Sequence, residues 1–412
     1  MLKKIPYAAL VILLLVSCYY FFETMVDTVP SIMVNELMQS FHLSAFELGV
    51  LDVSYFILAA LIQIPGGYAL DKYGAKRVLP FAACLCALGL FIFAESHSFG
   101  FALLGRMLAG LGSAFGLLGA LFVIATKIPA RWLALCLGLA IMIGLSGALL
   151  DSPMSLLKQA LGWRDLVLLL SAMAAIFALL FYLLLPYDLH SSNRLSYSWQ
   201  QLRVLCKDTG LWRIALYGGI MYLPAGMLGS LWGVNFILAA DPTLSLAQAA
   251  MINSLIFLGW IIGSPLVGLS SDLFRQRKIF LQLGALLCLV LLGALYSNTH
   301  FNALALTSIF LGLGIFSSFS GLTFVMGVER HTTTRAMTIG WINMWAIIPM
   351  LIMNPLFGHV LDYFWQGQVS NQGVHVFSLN SYQLALWPLM ALIAIALALS
   401  FGRFQDKSIH II

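Results

Sequence analysis

Apolar runs separated by proline, glycine or charge dominate the chain, near residues 6–29, 45–70, 76–95, 98–126, 131–152, 163–185, 211–239, 247–271, 278–297, 300–327, 335–361 and 380–402. Runs such as Tyr7 to Phe22 and Leu166 to Leu185 approach the roughly 20 apolar residues that cross about 30 Å of hydrocarbon at 1.5 Å per residue. Polar and apolar residues do not alternate strictly, so barrel strands are not predicted, and open sheets would leave unpaired backbone groups in lipid. The pattern predicts an all-α membrane protein of twelve spanning helices. Ser44-x-x-Glu47 ahead of the second run reads as a capping box that opens that helix.

Composition strengthens this reading. Of 412 residues, 61% are hydrophobic and 9% charged, which places the chain in lipid rather than in water. Met1-Leu-Lys-Lys followed by an apolar run imitates a signal peptide, but Glu23 and Asp27 stand where a small-residue cleavage site belongs, so a retained first helix is expected. The six cysteines fall in predicted spans or on one predicted side, and Cys84-x-Cys86 lacks ligand spacing. Neither a disulfide framework nor a metal site is indicated.

Charge then sets an orientation. With the amino terminus assigned to the cytoplasm, every Lys and Arg falls inside except Lys158 and Arg164, which fall outside, and Arg106, which lies within a span. One missed or added span would scramble that asymmetry. The net charge of +5 is thus a topology signal and not a nucleic-acid patch. Both termini are expected in the cytoplasm. Short loops point to a bacterial inner membrane, and the chain is expected to act as a monomer.

The longest polar segment between spans divides the chain into an N-terminal six-helix bundle (1–187), a cytoplasmic linker with an interfacial helix (188–210), and a C-terminal bundle with a short tail (211–412). Trp199, Leu202 and Leu205 beside Arg203 and Lys207 carry the helix expectation. The bundles repeat one another. Gly67-x-x-x-Asp71-Lys72-x-Gly74-x-Lys76-Arg77 joins spans two and three, and Gly268-x-x-x-Asp272, followed by Arg275, Arg277 and Lys278, joins spans eight and nine at an offset of 201 residues. Gly110-Leu-Gly112 aligns with Gly312-Leu-Gly314 at an offset of 202. Duplicated halves of a membrane protein are expected to bind a ligand at their join, near the midplane.

These motifs resemble the major facilitator superfamily over nearly the whole chain. The loop with Asp71, Lys72, Gly74, Lys76, Arg77 and upstream Pro65 is similar to that superfamily's signature. Arg106-x-x-x-Gly110-x-Gly112 resembles its fourth-helix motif, and Gly162-Trp163-Arg164 its entry to helix six. The resemblance implies two pseudo-symmetric six-helix bundles and transport of a small solute by alternating access. It also implies that helices one, four, seven and ten line the path, with five, eight and eleven contributing. On those spans Tyr19, Tyr20, Glu23, Arg106, Tyr222, Trp260, Ser317, Asn343 and Trp345 become the candidate solute contacts. Gly67, Asp71, Lys72, Gly74, Lys76, Arg77 and Asp272 form a candidate cytoplasmic gate, in which a carboxylate beside cations holds helix ends together in one state and releases them in another. The second copy has Leu273 in place of Lys72, so a weaker latch is expected there.

Ionisable residues are costly inside a span, about 2.5–3.5 kcal/mol each at its centre, and here they gather in the first half. Counted at 1.5 Å per residue, Glu23, Asp52 and Arg106 lie about 9–12 Å below the outer ends, with Asp27 shallower. Glu23 and Asp27 are four residues apart on one helical face. Glu23, Asp27 and Asp52 are the candidate proton-coupling groups, with Arg106 paired to one acid; the alternative is a permanent bridge. A solute carboxylate suits the planar fork of Arg106, and an amine suits Glu23 or Asp27, which favours a zwitterion or organic anion. The Gly-Pro pattern of many antiporters is broken at Gly147-Ala148 and Asp151-Ser-Pro153, which favours proton-coupled uptake by symport over export or passive uniport. The eight histidines form no HExxH or Ser-His pairing, so catalysis is not expected. No cofactor or metal ion is expected, and the partners are a small solute, protons and the bilayer.

Overall fold

A computed structural model describes residues 7–128, 133–186, 199–331, 335–370 and 374–402. Among these, twelve helices are long and apolar enough to cross a membrane: Leu10–Ile32, Ala45–Gln63, Ala75–Ala94, Phe99–Ile124, Gly138–Leu161, Trp163–Leu184, Thr209–Ala240, Leu246–Phe274, Arg277–Ser297, Ala303–Arg330, Met337–Tyr363 and Leu379–Ser400. They are numbered below as spans one to twelve. Large apolar side chains such as Phe81, Phe101, Leu269 and Leu273 stand exposed on them, as expected where the solvent is hydrocarbon.

The fifth span differs from its predicted limits. It ends at Leu161, not near 152, because Pro153 occupies the third position of the helix Asp151–Leu161. In a first helical turn the missing N–H costs no internal bond. A second unforeseen element is the helix Val34–Phe41, whose Val34, Leu37, Met38 and Phe41 are buried at one-face spacing. In the linker, a helix does form over Trp199–Lys207.

The chain divides into two compact units, 1–33 with 51–196, and 34–50 with 197–412. In the first unit, span one packs on spans four and five. Gly144 and Gly147 let it approach closely: a Cβ on Gly144 would overlap the Tyr20 ring, and one on Gly147 the Phe21 carbonyl. The second unit takes in the opening turns of the helix Ala45–Tyr73. The predicted capping box is formed there, with Ser44 N–H donating to Glu47 Oε2 at 2.9 Å. Asp362 accepts from the Ala45 and Phe46 N–H groups at 3.0 and 2.8 Å.

The repeat is visible element by element. Helices Ala45–Tyr73 and Leu246–Phe274 both have 29 residues and start 201 apart, and a second capping box, Ser245 with Gln248, opens the later one. Helices Phe99–Ser113 and Ala303–Ser317 both have 15 residues but start 204 apart. Gly110 therefore corresponds to Gly314 and not to Gly312, which corrects the 202 offset. The contacts agree: a Cβ on Gly110 would strike the Tyr55 carbonyl, and one on Gly314 the carbonyl of Ile256, 201 residues after Tyr55.

Candidate functional site

In the first unit the fourth span is broken. Its helix Phe99–Ser113 stops, Ala114 turns, and a second helix runs Phe115–Lys127. Side chains from spans one and two gather on the break. The Tyr19 hydroxyl donates to the Gly112 carbonyl at 3.1 Å, and Ser113 Oγ donates to the Tyr55 hydroxyl at 2.5 Å. The Leu117 N–H donates to Glu23 Oε2 at 3.1 Å. Leu117 is the third residue of its helix, so its N–H is among the first-turn donors that lack an intrahelical partner, and the carboxylate takes that role.

Arg106 is fully enclosed at 2% exposure. Its Nη2 lies 3.4 Å from both the carboxylate and the backbone carbonyl of Asp52, and its guanidinium lies over the rings of Tyr55 and Phe93, at 4.7 and 5.9 Å. The ion pair is long against the roughly 2.7–2.9 Å of a tight charge-assisted bond. Asp27 lies within electrostatic reach of Asp52, Arg106 and Asp151, and its Oδ1 is buried with no hydrogen-bond partner. The structure thus brings Glu23, Asp27, Asp52 and Arg106 into one polar region. The Tyr20 ring packs on Gly144 of span five, while its backbone lies against Gly116 just past the fourth-span break.

Asp151 belongs to this region and was missed as a candidate. It is buried, with Thr28 Oγ1 donating to Oδ1 at 2.6 Å and Ser31 Oγ approaching Oδ2 at 3.5 Å. Close by, Lys158 is buried as well and donates to the Ile32 carbonyl at 2.8 Å. Asp151 is in the first turn of its helix, where a negative charge is favoured; an Asp-x-Pro start within an apolar run was the signal available.

Among the described residues of the second unit, no Asp, Glu, Lys or Arg is buried. Tyr222 and Trp260 meet edge to face at 5.7 Å, and Trp260 Nε1 donates to Ser317 Oγ at 2.7 Å, so three predicted contacts form one cluster. Trp345 stands apart from them, packed with Trp212 and Trp341. Asn343 is half-buried. Span seven carries a wide-turn π-helix over Pro224–Trp232. The buried amides of Asn253 and Asn354 donate to its Gly229 and Gly226 carbonyls at 2.7 and 3.3 Å. Neither Asn was a sequence candidate.

The two predicted gate loops differ. Gly74 has φ 78° at the start of span three, a conformation glycine adopts without strain. Lys72 lies over the rings of Tyr68 and Tyr73, and Lys76 donates to the Tyr182 carbonyl. Gly67 is half-buried and Arg77 exposed, while the side chain of Asp71 lies outside the described residues. In the second copy Arg275 holds φ 53° at the position of Gly74. Arg277 there bonds Asp272 at 3.3 Å and Glu329 at 2.7 Å. Nearby, Asp208 caps the seventh span's first helix through the Gly210 and Leu211 N–H groups and pairs with Arg330 and His331. Burial pushes the Asp208 carboxyl up, but hydrogen bonds from Arg330 and His331 outweigh it and hold the group below the usual carboxylate range.

Twelve apolar helices long enough to cross a bilayer make this an integral multi-pass membrane protein. Comparison with known proteins gives the family. A profile of the Major Facilitator Superfamily matches residues 12–345, and the chain belongs to that superfamily of transporters. A bacterial homolog of the human lysosomal transporter Spinster, in an inward-facing and occupied conformation, superposes with a TM-score of 0.81 at 16% identity, covering 97% of each chain. The nucleoside transporter NupG superposes at 0.72 with 15% identity, over 95% of this chain and 100% of that one. The fosmidomycin resistance protein of Escherichia coli (strain K12) is 34% identical over 77 residues. That match spans 19% of either protein, so the chain aligns with about a fifth of that relative's length. The family and the fold are those of transporters and not of enzymes.

Proposed function

We propose that this chain is a proton-coupled secondary transporter that takes up a small polar solute, a zwitterion or organic anion, by symport. Glu23 and Asp27 are the coupling pair, with Asp52 tied to Arg106. The observation that carries the reading is the buried Asp27 Oδ1 without a hydrogen-bond partner. A buried carboxylate oxygen with no hydrogen-bond donor favours taking up a proton when the site dries and giving it back when it is wet. The long Arg106–Asp52 pair suits a solute carboxylate that competes for the guanidinium. Tyr222, Trp260, Ser317, Asn343 and Trp345 are proposed as further solute contacts, and the two inner loops as the gate. The protein works as a monomer in a bacterial inner membrane with both termini in the cytoplasm.

The test is accumulation of labelled solute in proteoliposomes under an imposed pH gradient, after counterflow has identified an exchangeable solute. Glu23→Gln and Asp27→Asn are expected to keep counterflow and lose pH-driven accumulation. Full accumulation in both variants removes proton coupling from this site. The 77-residue likeness to a resistance protein favours a second reading, export by proton antiport. Saturable exchange of one metabolite supports uptake, and broad recognition of hydrophobic cations supports export.

A further inference from the structure

Glu23 and Asp27 share a helix face but not an environment. Asp27 faces Asp52 and Arg106, and Glu23 is bonded to backbone in the interrupted fourth span. Gly116 provides the space, since a Cβ there would overlap Glu23 Oε2 and come within 2.9 Å of Tyr20 Cα. The upper helix is tied separately, at Gly112 by Tyr19 and at Ser113 by Tyr55, whose hydroxyl also reaches the Glu23 carbonyl at 3.5 Å. Both ends of the break are therefore held by side chains of spans one and two, and only the lower end is held through a carboxylate.

Building on the proton-coupled reading, we propose a division of labour: Asp27 carries the transported proton, and Glu23 is a positioning residue whose own protonation sets the bend of the fourth span. As a carboxylate, Glu23 caps the helix Phe115–Lys127 with a charge-assisted bond, roughly twice as strong as a neutral one. Once protonated, it loses that advantage, and the Leu117 N–H can return to the carbonyl of Ser113, four residues earlier, which straightens the span. Arg106 rides on the upper helix, so the change in bend moves the guanidinium relative to Asp52. The titratable groups within reach of Glu23 are Tyr19, Tyr20 and Asp27 on its own helix, Tyr55 from span two and Cys86 from span three. Gly116, Leu117, Gly144 and Gly147, the fourth- and fifth-span residues beside this stretch of span one, are not titratable, while Arg106 and Asp151 of those spans face Asp27 further along the same helix.

The test measures the bend directly. Spin labels on Phe101→Cys and Lys127→Cys, in the full chain with its six native cysteines replaced, lie about 39 Å apart along a straight helix and report it by electron–electron distance in lipid nanodiscs. The wild-type background is expected to shift its distance distribution between mildly alkaline and mildly acidic buffer. Glu23→Gln is expected to show the acidic distribution at both pH values. Leu117→Pro, which removes the donor at a first-turn position and leaves the carboxylate in place, is expected to lose the pH shift as well. Asp27→Asn is expected to keep it. A pH shift that survives in Glu23→Gln, or one that disappears in Asp27→Asn, overturns the proposal. If the wild-type distribution is insensitive to pH while pH-driven accumulation persists, the inference alone fails. If the distribution shifts but accumulation ignores the pH gradient, the coupling reading fails instead.

Discussion

Where span two carries Asp52, the equivalent helix 201 residues later carries Asn253; where span four carries Arg106, the helix 204 residues later carries Phe310. Both pairs are buried. One scaffold thus holds an ion pair in its first copy and an amide with an aromatic ring in its second. Asn253 donates to the Gly229 carbonyl of a π-helix, whereas Asp52 accepts from a guanidinium. The packing does not require the charge, because the second unit buries the same positions without it. A buried ion pair that a neutral pair can replace is weak evidence for stability, which is consistent with the role in transport proposed for it.

The strongest way to break this comparison is to convert the first copy into the second. Arg106→Phe alone leaves the Asp52 carboxylate buried without its guanidinium, a loss of about 3–5 kcal/mol for a fully desolvated pair, read as a large drop in the thermal unfolding midpoint in detergent. Arg106→Phe is also expected to abolish transport, and adding Asp52→Asn is expected to recover most of the stability loss without restoring transport. If the double variant is no more stable than the single one, the two copies correspond in topology only, and the pair is structural.

A smaller effect tests the register of the repeat. Gly314→Ala would press a methyl group into the Ile256 backbone, as Gly110→Ala would into Tyr55, and overpacking against backbone costs about 1–3 kcal/mol. Gly312→Ala meets mainly a flexible Leu291 methyl at 2.9 Å, and its helix-propensity gain is up to about 1 kcal/mol. The first two substitutions should lower the unfolding midpoint and the third leave it unchanged or raised. Equal losses at Gly312 and Gly314 would restore the 202 offset.

That register shows where sequence reasoning stops. The twelve spans, the capping box and the duplication were legible because lipid imposes length and polarity on every helix, and because the 201 offset runs unbroken through a whole helix. Gly-Leu-Gly misled: its three residues align at the 202 offset, whereas the 204 offset keeps only Gly110 with Gly314, and it is the carbonyl each glycine faces that decides for the latter. Glu23, Asp27, Asp52 and Arg106 stood out because charge in a span is rare. Asp151 did not, since the fifth span was closed at Pro153, a residue that can begin a helix as well as end one. The Leu117 N–H and the π-helix carbonyls were out of reach for another reason. Backbone groups become available only where a helix breaks or widens, and side-chain pattern alone does not locate those points.

The smallest expected effect concerns charge that the second unit does keep, at helix ends and not in the core. Asp208, with a side chain 14% exposed, meets Arg330 at 31% and His331 at 14%, so water screens the cluster far more than it screens Arg106 and Asp52, at 2% and 1%. Asp208→Asn keeps a good cap for the seventh span and removes only the ion pairing, with an expected cost of about 1 kcal/mol or less. Because folding lowers the Asp208 pKa, its contribution is fully present above the unfolded value of about 3.9 and is lost as pH falls through the lower folded value. Wild type and Asp208→Asn should therefore differ by a constant small shift in unfolding midpoint across neutral pH and converge only in strong acid. Convergence already near neutrality would mean that the Asp208 carboxylate does not govern this cluster.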